Sequence, residues 1–479
     1  MKRNRSRLMC ALMCVALLFS VMGCGRTVQR EVIKEYSIPE FSIPEIDEDS
    51  LDDPDNVTSD GKGGNKDGNV SHSSPNVKSA QKQLRQKIKN KGGDLTILCA
   101  YNHESYLGQC LVQQYKALCG GTLKFVTAGY GDMQQKLATM HQAGEDPDVY
   151  WMTNQDFPSL MYKNILMPLN DKIDFSGAEW DEKRELLNTL SWDGQNYFTP
   201  TVEPDGFIFW NRTLFEQAGI PENEMPDALV KANNWTWDTF YDLEKRVANT
   251  ANGIYGFAQN ANFCYSVPAS AGEDFVKYGP DGFVSNVKSA NFTRAMNQYK
   301  KFCDINYYVP VGSNAMDLFK RSKLAMMHNN TLIMQDETLA AMYKDGTIEF
   351  THIPRDPQQK EYIYMGSIGG YAIPIGCKNV DASVAFLEMF QASDYYAAQL
   401  KKYDVYERYH LNEKGIKFME EREKCKVIPC YSLGIKEIQQ LCWTAIGRNE
   451  GCLNYGSTTW ESVAASLEPQ INNELNKLG

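Results

Sequence analysis

Between residues 95 and 163, the apolar and polar positions follow strand-like and helix-like patterns in turn. An unbroken apolar run at 95–99 predicts a buried strand. Apolar residues at helical spacing over 106–119 predict a helix that ends at Gly120. The alternation continues with a strand at 123–126, a helix at 133–143, a strand at 149–152 and a helix at 157–163. This order predicts a parallel sheet with helices on both faces.

Aromatic and amide residues follow two of these strands directly. Tyr101 and Asn102 come after the first strand, and Trp151 and Asn154 lie at the end of the third. Ligands of such sheets bind beyond the carboxyl ends of the strands. We therefore expect these four side chains along one edge of the sheet. No phosphate-binding glycine motif follows the first strand, which disfavours a nucleotide cofactor.

A second folded unit is predicted after a stiff, extended segment at 197–211. Pro200 and Pro204 exclude a helix there, and they flank Glu203. A carboxylate held between two folded units is suited to a ligand caught in the cleft between them. The alternative is a solvated Glu on an ordinary strand connection. A helix is predicted beyond this segment at 235–248.

Composition excludes several classes of function. A chain of 479 residues is long enough for two or three domains. Its net charge of −11 argues against nucleic-acid binding, which requires basic patches. The six histidines show no metal-ligand spacing, and the sequence lacks the serine motif of the common hydrolases. We expect no metal, no other cofactor and no catalytic residue.

The start of the chain has the layout of an export signal. Four basic residues precede an apolar stretch at 8–22, which is too short to span a bilayer comfortably. Small residues before Cys24 resemble the signal of bacterial lipoproteins, in which the cysteine becomes the acylated first residue. We predict a signal peptide at 1–23, lipidation at Cys24 and anchoring on the extracytoplasmic face of the cell membrane. The polar residues 24–90 predict a disordered tether.

Ten further cysteines follow Cys24. An even number in an exported chain favours disulfides, with Cys425, Cys430, Cys442 and Cys452 close enough in sequence to pair. Free thiols in a reducing habitat are the alternative.

Several motifs occur in a characteristic order after residue 94. They are PDVYW at 147–151, YFTP at 197–200, FWNRTLF at 209–215, WTWDTF at 235–240, FKRSKLAMM at 319–327 and GSIGGYAIP at 366–374. In this order they resemble the extracellular solute-binding proteins of family 1, the maltose-binding type, which serve ABC importers. The resemblance covers the chain from about residue 94 to its end and rests on several weak motifs together.

The resemblance implies a two-lobed α/β fold of the periplasmic-binding-protein type (type II). Each lobe would have a central sheet flanked by helices, with the ligand cleft at the segments that cross between the lobes. The first lobe would comprise 91–202 and 369–410, and the second 203–364 and 415–479. Hinge rotation would close the lobes on a ligand.

By position, the resemblance assigns ligand contacts to Trp151, Glu203 and Asn329. Aromatic rings can stack on sugar faces, and charged or amide groups can bond hydroxyls. The alternatives are core packing for Trp151 and a turn for Asn329. Further candidates for ligand binding are Tyr101, Asn102, Asn154, Trp235 and Tyr371. Leu332 replaces a tryptophan of the maltose type, so the resemblance does not extend to maltose itself.

These inferences predict a lipid-anchored, monomeric binding protein that is not an enzyme. It would capture a carbohydrate, an oligosaccharide in particular, and deliver it to the permease subunits of an ABC importer. Two alternatives remain. One is a binding protein for another polar solute such as a peptide. The other is a secreted glycoside hydrolase that uses carboxylates such as Glu203 and Asp205, and glycan hydrolysis requires two carboxylates flanking one bond.

Overall fold

A computed structural model describes most of the chain after residue 74. The described residues are 75–101, 104, 106–279, 282–304, 306–310, 313–397, 411–446 and 459–478. They all fall within the compact unit Ile46–Gly479, and the other unit, Met1–Glu45, lies outside the described residues. The predicted signal peptide and Cys24 therefore lie outside them too.

The strands of the described residues form two main sheets and a hairpin. In chain order they are β1 (Asp94–Cys99), β2 (Thr122–Thr127), β3 (Val149–Met152), β4 (Phe198–Asp205), β5 (Phe207–Asn211), β6 (Tyr255–Ala258), β7 (Val276–Gly279), β8 (Gly282–Ser285), β9 (Leu324–Asn329), β10 (Ile348–Thr351), β11 (Ile363–Ala372) and β12 (Lys426–Pro429).

Helices surround both sheets. In chain order they are α1 (Pro75–Ile88), α2 (Tyr106–Cys119), α3 (Met133–Gln142), α4 (Ser159–Tyr162), α5 (Arg184–Thr189), α6 (Arg212–Gln217), α7 (Pro226–Lys231), α8 (Trp237–Val247), α9 (Phe263–Ser270), α10 (Ala290–Phe302), α11 (Ala315–Lys320), α12 (Glu337–Lys344), α13 (Val380–Ala392), α14 (Glu413–Glu423), α15 (Tyr431–Gly434), α16 (Lys436–Ile446) and α17 (Trp460–Leu475). No helix among the described residues is long and apolar enough to cross a membrane.

The first sheet has the strand order β12-β11-β3-β1-β2, with β4 paired to β11. β1 is parallel to both β2 and β3, which confirms the parallel arrangement predicted from the sequence. Alternate residues of β1 face different cores. Leu95 and Ile97 belong to one core and Leu98 to the other, so helices can cover both faces of the sheet.

The second sheet has the order β10-β5-β9-β6, in which β6 and β9 are parallel. Its helices begin where the sequence predicts them. The Asn211 side chain caps α6 by accepting a hydrogen bond from Leu214 N at 3.1 Å. Thr236 and Thr239 form a capping box at the start of α8.

Three strands connect the two sheets, and we call β4, β11 and β12 the connecting strands. β4 and β11 pair antiparallel from Asp205↔Met365 to Ala372↔Phe198, and β12 pairs with the first half of β11. Only Gly206, at φ +71°, separates β4 from β5 of the second sheet. The predicted lobe boundary at 202/203 falls inside β4, and the lobe boundaries stay a prediction.

Helix α1 corrects the predicted tether, which was expected to extend to residue 90. Leu84 and Ile88, four residues apart, bury their side chains in a core of the first sheet. Arg85 donates to Ala392 O at 2.8 Å, and Lys87 pairs with Glu388 at 2.5 Å. These contacts with α13 stabilise a helix in a segment whose own composition is polar.

The cysteines divide between the two alternatives left open by the sequence. Cys425, Cys430 and Cys442 are free thiols and form no disulfide with one another. The other free thiols of the described residues are Cys99, Cys110, Cys119, Cys264 and Cys377. Cys303 is disulfide-bonded. Most of the free thiols are buried among apolar side chains, where they pack as small hydrophobic groups.

Glu244 in α8 generates a prediction about stability. Its side chain is fully buried, and neither carboxyl oxygen has a hydrogen-bond partner among the described residues. Burial, followed by repulsion from Asp304, raises the pKa of Glu244 well above its usual range. The folded protein therefore keeps a proton that the unfolded chain loses, and the free energy of unfolding falls as the pH rises above the ordinary glutamate pKa.

We expect Glu244→Gln to increase the free energy of unfolding at pH 7.5 by about 1–3 kcal/mol, because the uncharged amide has no proton to retain. The gain should shrink towards pH 4, where the unfolded carboxyl is also protonated. Urea unfolding at both pH values measures this. Asp238→Asn, at an exposed position of the same helix, is the control. A Glu244→Gln effect that is the same at both pH values would contradict the assignment.

Candidate functional site

The carboxyl ends of the parallel strands in the first sheet bring three aromatic rings together. Tyr101 follows β1, Tyr130 follows β2 and Trp151 lies in β3. The Trp151 ring contacts Tyr101 edge to face at a centroid distance of 5.5 Å and Tyr130 at 6.4 Å. The Tyr130 hydroxyl donates to Asn154 Oδ1. Tyr130 is 44% exposed, so this edge offers an accessible ring.

Tyr101 and Tyr371 form a more enclosed pair behind Trp151. Their hydroxyl oxygens are 3.3 Å apart, and Tyr371 stacks on Phe390 at a centroid distance of 5.1 Å. Burial raises the pKa of both tyrosines well above the usual range. Both therefore remain neutral, and their contacts hold the Trp151 ring in place.

Two carboxylates lie on connecting strand β4. Glu203 is exposed and pairs with Ser367 of β11. Asp205 is partly exposed and accepts a hydrogen bond from Asn262 Nδ2 at 3.3 Å. Burial raises the pKa of Asp205, and Asp205 in turn contributes to the raised pKa of Tyr130, which burial brings to about 12. The Asp205 carboxylate therefore lies near both the edge of the first sheet and the second sheet.

The second sheet contributes a cluster of amides at the carboxyl ends of its parallel strands. Asn260 and Asn262 follow β6, and Asn329 ends β9. Asn260 Nδ2 donates to Asn329 Oδ1 at 3.3 Å, and Asn260 Oδ1 accepts from Asn262 N at 3.0 Å. All three side chains are partly exposed. We call these three residues the amide cluster.

A cavity of about 1130 Å³ lies between the edge of the first sheet and the C-terminal helices. Tyr130 borders it on one side and Trp443 of α16 on the other. The lining is rich in uncharged amides, namely Gln134, Gln135, Gln155, Gln439, Gln440 and Gln470. Each amide can both donate and accept hydrogen bonds. Such a cavity can hold a polar, uncharged molecule.

Asp156 organises the loop that borders this cavity. Its carboxylate accepts from Thr153 N at 2.7 Å, from Thr153 Oγ at 2.8 Å and from Tyr150 Oη at 3.0 Å. Gln134 Nε2 donates to Gln155 O at 2.7 Å and ties α3 to the same loop. Asp156 is 1% exposed, and this burial raises its pKa. These hydrogen bonds thus fix the loop that carries Asn154 and Gln155.

The structure brings together four of the candidates predicted from the sequence. Tyr101, Trp151, Asn154 and Tyr371 all belong to the edge of the first sheet. Glu203 lies on a connecting strand and Asn329 at the edge of the second sheet. Asn102 lies outside the described residues.

Trp235 requires a correction. Its side chain is fully buried in the core of the second sheet, where it packs edge to face on Phe240. Its indole N–H donates to His352 O at 2.7 Å. No part of the ring is left for a ligand, so Trp235 is a core residue in this structure.

Sequence reasoning did not identify Tyr130, the amide pair Asn260 and Asn262, or the glutamines of the cavity. Tyr130 follows the second parallel strand, so the rule applied to the first and third strands would have found it. The glutamines carry no comparable signal, because they come from α3, the loop after β3, α16 and α17, and the last two are distant in sequence from the first two. No group of three His, Cys, Asp or Glu side chains in the described ranges is arranged to hold a metal ion.

Comparisons with known proteins bear on both the fold and the site. A family model described as bacterial extracellular solute-binding protein matches residues 110–406. The diacetylchitobiose binding protein DasA of Streptomyces coelicolor is 26% identical over 303 residues, which cover 61% of this chain and 67% of DasA. A maltooligosaccharide ABC transporter solute-binding lipoprotein of Streptococcus pneumoniae is 23% identical over 313 residues, 63% of this chain and 69% of that protein.

The fold is similar to solved structures. The sugar-binding protein MalE of Xanthomonas citri matches with a TM-score of 0.63 at 13% identity, covering 80% of this chain and 98% of that one. With the two sheets described above, this match confirms the predicted two-lobed α/β fold.

The contacts of Asp156 generate a second prediction. We expect Asp156→Ala to lower the free energy of unfolding by about 2–4 kcal/mol, because the Tyr150 hydroxyl and the Thr153 N–H lose a charged acceptor. Amide exchange at residues 153–156 should accelerate. Urea unfolding and hydrogen-exchange mass spectrometry measure the two effects.

Asp174→Ala is the matched control. Asp174 makes similar bonds, to Ser176 N at 2.9 Å and Ser176 Oγ at 2.6 Å, but it is exposed. Its loss should leave exchange at 153–156 unchanged. If the two variants changed amide exchange at 153–156 equally, the proposed role of Asp156 in fixing this loop would be wrong.

Proposed function

This chain belongs to the bacterial extracellular solute-binding protein family, and we propose that it binds an uncharged oligosaccharide between its two lobes and delivers it to an ABC importer. The family membership agrees with the resemblance of the sequence motifs. The carbohydrate and the importer are supported by two relatives, whose names specify diacetylchitobiose binding and a maltooligosaccharide ABC transporter.

The amide-rich cavity is the observation that carries the proposal. Its volume of about 1130 Å³ lies slightly above the range of about 300–1,000 Å³ that small-molecule sites usually span. A chain of several sugar units fits such a space better than a single one. Six glutamines match a ligand that has many hydroxyls, and charged residues of the same lining, Lys163, Lys436, Glu437 and Glu474, can also bond hydroxyls. The rings of Tyr130 and Trp443 provide flat surfaces for the apolar faces of sugar rings.

The two lobes would share the ligand. Tyr130 lines the cavity, and Trp151 and Asn154 at the same sheet edge and Asn329 of the amide cluster would contact the part of the ligand that extends outside it. Asp205 and Glu203 on the connecting strand would accept hydrogen bonds from sugar hydroxyls, and bonds to charged acceptors are the stronger kind. A ligand that contacts both lobes is bound fully only when they are closed, so binding favours the closed state.

We propose that the protein acts outside the cytoplasm, held on the membrane by a lipid on Cys24. The signal at 1–23 supports this anchor, as does the relative named as a lipoprotein. A cleft formed by two lobes of one chain requires no second copy, so we propose a monomer. Binding without chemical conversion is proposed because the family that the chain belongs to is described as one of solute-binding proteins.

A thermal-shift screen tests the ligand class. The set contains maltotriose, diacetylchitobiose, a trisaccharide of uronic acid and a tripeptide. We expect a neutral sugar to raise the melting temperature, because a ligand that binds only the folded state stabilises it. A shift with the peptide alone would overturn the proposal. Release of new reducing ends from the sugars would indicate a hydrolase instead.

Substitutions test the site itself. We expect Trp151→Ala, Glu203→Ala and Tyr130→Ala each to weaken sugar binding at least tenfold, about 1.4 kcal/mol, as measured by calorimetry. Trp235→Phe is the control, because Trp235 is buried away from the ligand, and it should lower the melting temperature without changing affinity. If all three site variants bind as tightly as the wild type, this site assignment is wrong.

The anchor is tested separately. We expect Cys24→Ala to abolish incorporation of labelled palmitate in bacterial cells and to move the protein out of the membrane fraction. Cys14→Ala, which changes another cysteine of the signal segment, should leave both unchanged. Palmitate labelling that persists in Cys24→Ala would exclude this residue as the lipidation site.

A further inference from the structure

His328 lies buried directly beneath the amide cluster. It precedes Asn329 in β9, is fully buried, and its ring packs against Phe263 at a centroid distance of 4.8 Å. Its two ring nitrogens have different partners. Nδ1 is 2.9 Å from Asn260 Oδ1, and Nε2 is 3.3 Å from Ser266 Oγ.

The contacts of Asn260 determine which nitrogen of His328 carries the proton. Asn260 Oδ1 accepts from Asn262 N, and Asn260 Nδ2 donates to Asn329 Oδ1. The atom facing His328 is therefore the amide oxygen, and Nδ1 must be the donor. Burial lowers the pKa of His328 to about 3, so the ring is neutral near pH 7. Nε2 is then an acceptor, and the single proton of the Ser266 hydroxyl lies within reach of both Nε2 and Asn262 O, each 3.3 Å from Ser266 Oγ.

A continuous series of hydrogen bonds follows from this assignment. His328 donates to Asn260, and Asn260 donates to Asn329. Asn260 also fixes the backbone of Asn262, whose side chain donates to Asp205 on the connecting strand. Without the buried donor, the Asn260 oxygen would keep only the bond from Asn262 N, and the amide would be held less firmly in its orientation. Both Asn329 and Asn262 depend on that orientation.

The same ring also touches the link between the sheets. Gly206 joins β4 to β5 at φ +71°, and a side chain at this position would collide with the His328 ring. His328 therefore packs against the link between β4 and β5 as well as bonding the amide cluster.

We propose that His328 is a positioning residue for ligand binding, which holds Asn260 so that Asn329 and Asn262 face the connecting strand. This inference rests on the proposed function, because Asn329 and Asp205 are there taken to contact the sugar. His328 itself is buried and touches no ligand.

Three variants separate positioning from mere stability. His328→Leu removes the Nδ1 donor, His328→Asn keeps an N–H group at the same distance along the side chain, and Ser266→Ala removes the partner of the other ring nitrogen. Affinity for maltotriose and diacetylchitobiose is measured by calorimetry well below each melting temperature. We expect His328→Leu to weaken binding at least tenfold. His328→Asn and Ser266→Ala should stay within about threefold of the wild type, although Ser266→Ala also lowers the melting temperature.

A double-mutant cycle tests the route through Asn260. If His328 acts through Asn260, the double variant His328→Leu/Asn260→Ala should bind no more weakly than Asn260→Ala alone. Additive losses would overturn the proposal, as would an equal loss of affinity in Ser266→Ala and His328→Leu.

A ligand-free measurement distinguishes this inference from the proposed function. The side-chain NH₂ signal of Asn260 in a ¹⁵N spectrum, assigned by its loss in Asn260→Ala, should exchange faster with solvent in His328→Leu but not in Ser266→Ala. An unchanged Asn260 signal in His328→Leu overturns the positioning role. If the wild type binds neither sugar while the NH₂ signal responds as expected, the proposed function fails and the hold of His328 on Asn260 stands.

Discussion

The antiparallel pairing of β4 with β11 is the constraint on which the rest of the molecule depends. Eight residue pairs join these strands, from Asp205↔Met365 to Ala372↔Phe198. β4 belongs to the first sheet, and from its end the chain continues through Gly206 into the second sheet. A shift of one residue would turn each side chain of β4 to the opposite face. The register therefore decides where Glu203 and Asp205 point relative to both sheets.

The strand ends of both sheets meet this ladder. β1, β2 and β3 are parallel and place Tyr101, Tyr130 and Trp151 at one edge, while the parallel strands β6 and β9 place the amide cluster at another. Asp205 connects the two edges through its bond to Asn262 and its proximity to Tyr130. A change in the angle between the sheets would alter the contacts of all these residues together. This arrangement couples the geometry of the site to the relative position of the lobes.

The local pattern of apolar and polar residues was sufficient to predict the first sheet. Its strands are short apolar runs bounded by glycine and polar residues, and its helices have clear apolar spacing. The order of the strands also placed Tyr101, Trp151 and Asn154 correctly at one edge. Helix α1 was missed because it buries mainly Leu84 and Ile88, and its partner α13 lies about three hundred residues further along the chain. Its stability comes from a contact that local sequence does not contain.

The second half of the site was harder to predict for the same reason. Trp235 and Trp151 have the same side chain and both follow plausible motifs, but only the tertiary packing buries Trp235 completely. Asn260 accepts a hydrogen bond from His328, which lies 68 residues later in the chain. Hydrogen bonds between distant residues leave no periodic pattern in the sequence. A single sequence therefore shows which polar residues are available, but not which of them bond to one another.

The buried thiols have a consequence for disulfide exchange. Burial raises the pKa of Cys99 and Cys425 to about 11 and that of Cys119 to about 12, and it raises the pKa values of Cys430 and Cys442 well above the usual range. Disulfide exchange proceeds through the thiolate. These thiols are thus kept in the unreactive form once the chain has folded, and all of them except the partly exposed Cys425 are also buried. Packing therefore protects these sulfurs from oxidative scrambling, and the vulnerable period is the interval before the core closes.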